Sequence, residues 1–228
     1  MSAMQIAPGA RLRRGVLTVV AGLTLVAALA AGGPARASMA AAANAAAAAR
    51  ATASGGTWGK AEEIPGIAAL AEDGSSYALS VSCGAPGNCS AGGNYSTFVN
   101  EPGPIGAFVV SEQGGTWGTA EQVAGPLNQG GNASLNSVSC ASAGNCSAGG
   151  RYLDSSGDGQ AFVVGETNGT WGTAKEEPGI VALNKGGSAL IDSVSCASAG
   201  NCSVGGGYAG SPNGSSGELF VVGEMNGT

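Results

Sequence analysis

The sequence predicts an all-β protein, and three observations support that fold class. The 228-residue chain contains 42 glycines and only 11% charged residues, a composition typical of turn-rich β proteins rather than helical ones. A long motif occurs three times at nearly constant spacing. Short valine-rich apolar runs alternate with Gly-rich and Asn-Gly turns, as strands and hairpin turns do.

The repeated motif is the strongest signal in the chain. It reads SVSCGAPGNCSAGGNY from Ser80, SVSCASAGNCSAGGRY from Ser137 and SVSCASAGNCSVGGGY from Ser193, so the period is 57 and then 56 residues. Each copy is followed by AFVV or LFVV, and GTWG occurs three times. Every unit therefore contains four strand candidates: one ending at SVSC, one from the second cysteine to the tyrosine, the FVV run, and one opening at the tryptophan.

Four strands joined by short turns form an antiparallel meander. The FVV runs are apolar at consecutive positions, which indicates that both faces of the strand are covered. A radial stack of such sheets satisfies this requirement, so we expect three β-propeller-like meander repeats with cores at 80–136, 137–192 and 193–228. A β-trefoil or β-prism-like fold with internal three-fold symmetry is the alternative.

Three repeats are fewer than the four to eight blades that propellers usually have. Two chains joined as a homodimer would supply six, and a truncated fragment of a longer array is a further possibility. The first GTWG has no FVV run before it, whereas the last FVV run has no tryptophan after it. We therefore expect residues 56–64 to pair with LFVV and complete the last sheet.

Residues 1–37 have the pattern of a signal peptide. Arg11, Arg13 and Arg14 precede a long apolar run, and ARA at 35–37 suits a signal peptidase. We expect a secreted protein without a membrane span after processing. The adjacent arginines leave both the general secretory and the twin-arginine export routes open.

The rest of the chain divides into two parts. Residues 38–55 are alanine-rich and of low complexity, which predicts a linker. Residues 56–228 form the predicted three-repeat β domain. After residue 37 the chain has fifteen acidic and five basic residues, a net charge of −10, so nucleic acid and anionic lipid are disfavoured as partners.

Each repeat contains one cysteine pair that flanks a five-residue hairpin loop. This placement puts the two cysteines on adjacent antiparallel strands, and exported proteins meet an oxidising environment. Free thiols or a zinc site are disfavoured because the chain has no histidine and C-x5-C is not a usual zinc spacing. We therefore expect three local disulfides, of about 2 kcal/mol each in the chain-entropy model: Cys83 with Cys89, Cys140 with Cys146, and Cys196 with Cys202.

Aromatic residues supply candidate ligand positions. Tyr95, Tyr152 and Tyr208 lie just after a Gly-Gly pair in each repeat, and we expect them to reach the surface as sugar-stacking positions. The three repeated tryptophans are expected to fill the space between sheets instead.

One loop breaks the repeat symmetry. The run DSSGDG matches the beginning of a calcium loop, with Asp154, Ser156 and Asp158 as oxygen ligands. The acid expected at the twelfth position is missing, so a solvated hairpin turn is the alternative. Calcium is the only cofactor that the sequence suggests.

Catalysis has few candidate residues. Without histidine, Ser-His and Cys-His nucleophile systems are excluded. Glu112, Glu166 and Glu224 recur at one repeat position, and residues repeated in every unit more often serve the structure of the unit. A secreted glycoside hydrolase is the competing class, and it would depend on an acid that breaks the symmetry, such as Asp154 or Asp158.

The repeat resembles that of secreted, Ala- and Gly-rich proteins of high-GC Gram-positive bacteria, which carry SVSCAS.GNCSAGG followed by AFVV and NGTWG. The similarity covers nearly all of the chain after the signal peptide. It implies a β-propeller of the WD40 and BNR-like kind and an extracellular compartment, and no particular activity. We therefore expect a binding or interaction module of the cell envelope or extracellular space, with carbohydrate as the first ligand class to test.

Overall fold

The computed structural model describes residues 56–72, 74–97, 103–214 and 217–227. The predicted signal peptide and linker lie outside these residues. From Lys60 onward the described residues belong to one compact unit. That unit consists of three antiparallel sheets and two short helices, so the all-β prediction is confirmed.

The first sheet follows a short helix, α1 (Ile67–Ala71). Its strands are β1 (Ser76–Ala85), β2 (Asn88–Ser96), β3 (Ile105–Gln113), β4 (Thr116–Trp117) and β5 (Glu121–Val123). The first three strands form the predicted meander, and both β4 and β5 pair with the free edge of β3. The predicted fourth strand is therefore split into two short segments.

The second sheet repeats this arrangement. Its strands are β6 (Ala133–Ser142), β7 (Asn145–Leu153), β8 (Gly159–Thr167), β9 (Thr170–Trp171) and β10 (Lys175–Glu176). Both β9 and β10 pair with β8, as β4 and β5 pair with β3.

The third sheet follows helix α2 (Ile180–Leu183) and has three strands in the described chain. They are β11 (Ala189–Ser198), β12 (Asn201–Ala209) and β13 (Gly217–Gly223). Residues 56–64 form no strand, which corrects the expectation that they complete this sheet. Ile64 packs instead against the hydrophobic core of the first sheet.

A two-residue turn joins the first two strands of every sheet, where the sequence predicts a five-residue loop. The strands continue past the cysteines through a bulge, and the second turn residue is a glycine with positive φ. The carbonyl of that glycine accepts a hydrogen bond from the turn after the third strand, as in Gly115 N to Gly87 O and Gly169 N to Gly144 O, both at 2.8 Å. The two turns of one sheet are thereby joined.

The sheets pack face to face in chain order. Strand β6 contacts the first strands of both other sheets, so the second sheet lies between the first and the third. The AFVV run at 107–110 is at most 1% exposed at every position, which confirms that both faces of this strand are covered. In the third sheet the described residues cover only one face, since Phe220 is 9% exposed whereas Val221 is 84% exposed.

Candidate ligand cleft between the second and third sheets

The three predicted disulfides are present, and together they include all six cysteines of the chain. Within each pair the cysteines are directly opposite one another on adjacent strands. Each bridge therefore joins the first two strands of its own sheet. The sulfurs are consumed in these bonds and offer no thiolate for catalysis or metal binding.

The tyrosines do not lie where the sequence suggests. Tyr95 and Tyr152 are only 6% and 4% exposed and belong to hydrophobic cores, which corrects the expectation of surface stacking positions. The nearby glycines provide space for the ring: a Cβ added at Gly106 would lie 2.4 Å from Cζ of Tyr95. Burial raises the pKa of both phenols. Tyr208 is half-buried and donates a hydrogen bond to Glu218.

The tryptophans occupy two kinds of position. Trp171 is half-buried and packs against the core between the first and second sheets, as expected. Trp117 is half-buried as well, but it packs against the core that the first sheet forms with α1. Trp58 is fully exposed.

The calcium-like loop is an ordinary Asp-stabilised turn in this structure. Oδ1 of Asp154 accepts hydrogen bonds from the backbone N–H groups of Ser156 and Asp158, at 2.8 and 3.0 Å, and Oδ2 accepts one from Gln160. These donors, Gln160 first, lower the pKa of Asp154. The carboxylate is therefore engaged by the protein, which favours the solvated-turn alternative.

The boundary between the first and second sheets, which we call the first boundary, contains a buried carboxylate. Glu166 is 4% exposed and accepts hydrogen bonds from Ser111 Oγ at 2.7 Å and Ser90 Oγ at 3.0 Å. Trp171 Nε1 donates to the same Ser111 hydroxyl at 2.9 Å. Buried carboxylates are tolerated when their oxygens are paired in this way, so Glu166 serves to join two sheets.

Glu166 also belongs to the one group of three metal-ligating side chains found in the described residues, together with Cys140 and Cys146. Because these cysteines form a disulfide, the group offers only a carboxylate. A structural role for Glu166 is therefore the interpretation that fits its contacts.

The boundary between the second and third sheets, the second boundary, is open. Here Ser147 takes the strand position of Ser90, Gly165 that of Ser111, and Glu224 that of Glu166. Gly165 has no hydroxyl, and a Cβ added there would meet no atom within 4 Å. The result is a cleft of about 690 Å³, a volume in the range of small-molecule sites.

This open cleft has an apolar floor and a polar rim. Valines from both sheets and Cys202 of the third disulfide form the floor. Two acidic side chains, one basic side chain and two hydroxyl side chains line the cleft as well. The residues that matter for chemistry are Ser147, Lys175, Glu177 and Glu224. A second cavity of about 520 Å³ shares Ser147, Gly165, Cys202 and Glu224 with it and extends toward the hairpin turns.

Glu177 is the most unusual residue of the cleft. It is 3% exposed, and its Oε1 atom has no hydrogen-bond partner. Burial raises the pKa of its carboxyl group. An unpaired buried polar group costs about 1–3 kcal/mol, so this residue destabilises the free protein and is suited to accept a hydrogen bond from a ligand.

Sequence reasoning missed this residue, although a signal was present. Glu177 lies six residues after Trp171, and the same offset from Trp58 and Trp117 gives Ile64 and Val123. Val123 is 6% exposed and belongs to the core at the first boundary. A carboxylate thus replaces a core hydrophobic residue in one repeat only, which is the kind of asymmetry that a functional site introduces.

Comparisons with known proteins add no assignment: no protein-family model matches the chain, and no curated protein is significantly similar to it. Among the residues that the structure describes, no helix has the length and hydrophobicity needed to cross a membrane. The described residues thus form a disulfide-stabilised, all-β stack of three sheets with an open cleft between the second and third.

Proposed function

We propose that this protein is an exported binding module that holds a polyhydroxylated ligand, such as a glycan of the cell envelope, in the open cleft. The main support for this proposal is Glu177, a buried carboxyl group with an unpaired oxygen on the wall of a cleft of about 690 Å³. Sugar hydroxyls donate to such an oxygen, while Lys175 and Ser147 supply further polar contacts. The valine floor suits the C–H faces of a sugar ring.

The electrostatics of the cleft narrow the ligand class. Two of its side chains are acidic and one is basic. A phosphate backbone would meet repulsion there, in keeping with the net charge of −10 after residue 37, which disfavours nucleic acid. A neutral or cationic hydroxyl-rich ligand fits better.

Two further observations support the proposed fold and the proposed compartment. The three sheets resemble consecutive blades of a β-propeller, since they stack in chain order with their first strands adjacent. Three disulfides in a small domain are typical of oxidising compartments, in keeping with export.

The test is glycan-array binding by the full chain, purified from an exporting host, followed by calorimetry on the ligands that bind. Glu177→Val removes the acceptor and is expected to weaken binding about 10- to 100-fold, the worth of one hydrogen bond to a charged group. Gly165→Leu places a side chain in the cleft and should abolish binding. Glu121→Val, at an exposed acid outside the cleft, is the matched control.

Two results would contradict the proposal. One is the absence of any glycan ligand. The other is a ligand whose affinity is unchanged in both Glu177→Val and Gly165→Leu, because the site would then lie elsewhere.

A second candidate, glycoside hydrolysis, is favoured by one observation. Glu177 and Glu224 line the same cleft, and a buried carboxyl group with a raised pKa is what a general acid requires. An assay for new reducing ends distinguishes the two functions. Hydrolysis would be lost in both Glu177→Gln and Glu224→Gln and kept in Glu112→Gln, the repeat equivalent of Glu224, whereas a binding module shows no turnover at all.

A further inference from the structure

The two sheet boundaries share one set of hydrogen bonds that runs along the first strands. At the first boundary, Val138 N donates to Ser80 Oγ at 2.9 Å and Cys140 N donates to Ser82 Oγ at 3.0 Å. Each sheet therefore offers two serine hydroxyls to the next sheet and two backbone N–H groups to the preceding one.

The second boundary uses the same pattern one repeat later. Val194 N donates to Ser137 Oγ and Cys196 N donates to Ser139 Oγ, both at 3.0 Å. The agreement within 0.1 Å shows that the SVSC motif encodes an interface between sheets as well as a disulfide.

The third sheet has the serine hydroxyls of this interface without a following sheet, and the first sheet has the N–H groups without a preceding sheet, in the described chain. In the described chain, no hydrogen bond engages the hydroxyls of Ser193 and Ser195, which are exposed on the third sheet. Val81 and Cys83 stand in the same register with β2 as Val138 and Cys140 do with β7. Because β1 pairs only with β2, their N–H groups point away from the sheet without a partner in the described chain.

The same two outer faces, on the first and the third sheet, also expose apolar side chains that are buried between sheets elsewhere. Val81 is 65% exposed, whereas its equivalents Val138 and Val194 are 6% and 7% exposed under a preceding sheet. On the third sheet Leu219 and Val221 are 87% and 84% exposed. The residues at those positions in the first sheet are completely buried against the second sheet.

We propose that a second copy of this chain docks head to tail on the first, its third sheet covering the first sheet of its neighbour. Ser193 and Ser195 hydroxyls accept from the Val81 and Cys83 N–H groups of the other copy, and Leu219 and Val221 pack on Val81. Donors, acceptors and apolar residues match because each side repeats one half of an interface that the chain makes twice internally. Two reciprocal contacts of this kind give a closed, two-fold symmetric assembly of six sheets.

The occupant is a second copy rather than an unrelated protein because the face to be covered presents both polar and apolar features with the repeat's own spacing. The edge of β1 would otherwise remain open to strand addition. This inference does not depend on the proposed ligand, since Leu219, Val221 and Val81 do not line the open cleft.

The test is the solution mass of the full chain, exported and with its disulfides mapped, by light scattering over a dilution series. The wild type is expected to be a dimer. Val81→Glu or Val221→Lys buries an unpaired charge at both contacts and should raise the dissociation constant at least about 100-fold. Val181→Lys, at a 57% exposed valine on α2, is the matched control and should remain dimeric.

Mixing the two charged variants provides the decisive measurement. A mixed dimer has one wild-type contact and one contact in which the carboxylate of the V81E variant faces the ammonium group of the V221K variant. The mixture should therefore recover dimers that neither variant forms alone. A wild-type protein that is monomeric up to its solubility limit would overturn the proposal. So would a dimer that both charged variants retain.

Discussion

The two boundaries between sheets are built from the same strand positions and reach opposite results. At the first, Ser90, Ser111 and Glu166 form a hydrogen-bonded network that joins the two sheets. At the second, Gly165 replaces the central serine and a cleft of about 690 Å³ remains. The comparison shows that the same strand positions give either a closed structural joint or an open cleft, according to a few side chains between the sheets.

A second difference reinforces the first. The side chain covering the first boundary is Val123, and at the second boundary the same position holds Glu177. The first boundary is thus closed by a packed hydrophobic side chain, whereas the second contains a buried carboxyl group with an unpaired oxygen. Residues that lower the stability of the free protein are common in sites that bind ligands.

The largest effect is expected where the network of the first boundary is broken. Glu166→Ala removes the acceptor that the Ser90 and Ser111 hydroxyls share and deletes a buried side chain, so we expect the free energy of unfolding to fall by about 3 kcal/mol. Urea denaturation with the disulfides intact measures this change. Glu112→Ala, at the equivalent half-buried position of the first sheet, should change stability by less than about 0.5 kcal/mol. Equal losses in both variants would contradict a special role for Glu166.

Glu177 is expected to have the next largest effect, of opposite sign. Glu177→Val gives the second boundary the residue of the first and removes an unpaired buried group, so the free energy of unfolding at pH 7 should rise by about 1–3 kcal/mol. The same variant is the one expected to lose ligand. A loss of stability in Glu177→Val would show that the carboxyl group has a partner that stabilises the fold.

The pH dependence of stability sharpens the same contrast. The pKa of Glu177 is raised in the folded protein. At pH values between the ordinary glutamate pKa and this raised one, the folded state therefore keeps a proton that the unfolded state has released. The free energy of unfolding should therefore fall as pH rises from the ordinary glutamate pKa through the raised one. Glu177→Gln should remove this part of the pH profile, measured as urea midpoints across pH 4 to 8; an unchanged profile would contradict a raised pKa.

Features that depend on residues close in sequence could be predicted. Each cysteine pair lies within one hairpin, so the disulfides could be predicted from the spacing together with the predicted export. The consecutive apolar residues at 107–110 indicated a strand covered on both faces. The repeat itself predicted three similar sheets.

Features that depend on contacts between strands or between sheets could not be predicted from local sequence patterns. Tyr95 follows a glycine pair that suggested exposure, yet the space left by Gly106 on the next strand accepts its ring. The cleft arises where Gly165 of one sheet faces Glu224 of the next, and no local pattern places these residues together. The one sign of the cleft in the aligned repeats is Glu177, which occupies the position that Ile64 and Val123 have in the other two.

The smallest effect is expected from converting part of the second boundary into the first. Gly165→Ser restores the hydroxyl that Ser111 provides, and the strand position has room for it because no atom lies within 4 Å of the added Cβ. Since one new hydrogen bond to Glu224 is worth about 0.5–1.5 kcal/mol, stability should rise by at most that amount. Ligand affinity should fall slightly as the cleft narrows. Gly217→Ser, at an equally open strand position outside the cleft, is the control for affinity. If Gly165→Ser binds ligand as the wild type does, the missing hydroxyl is not what keeps the second boundary open for binding.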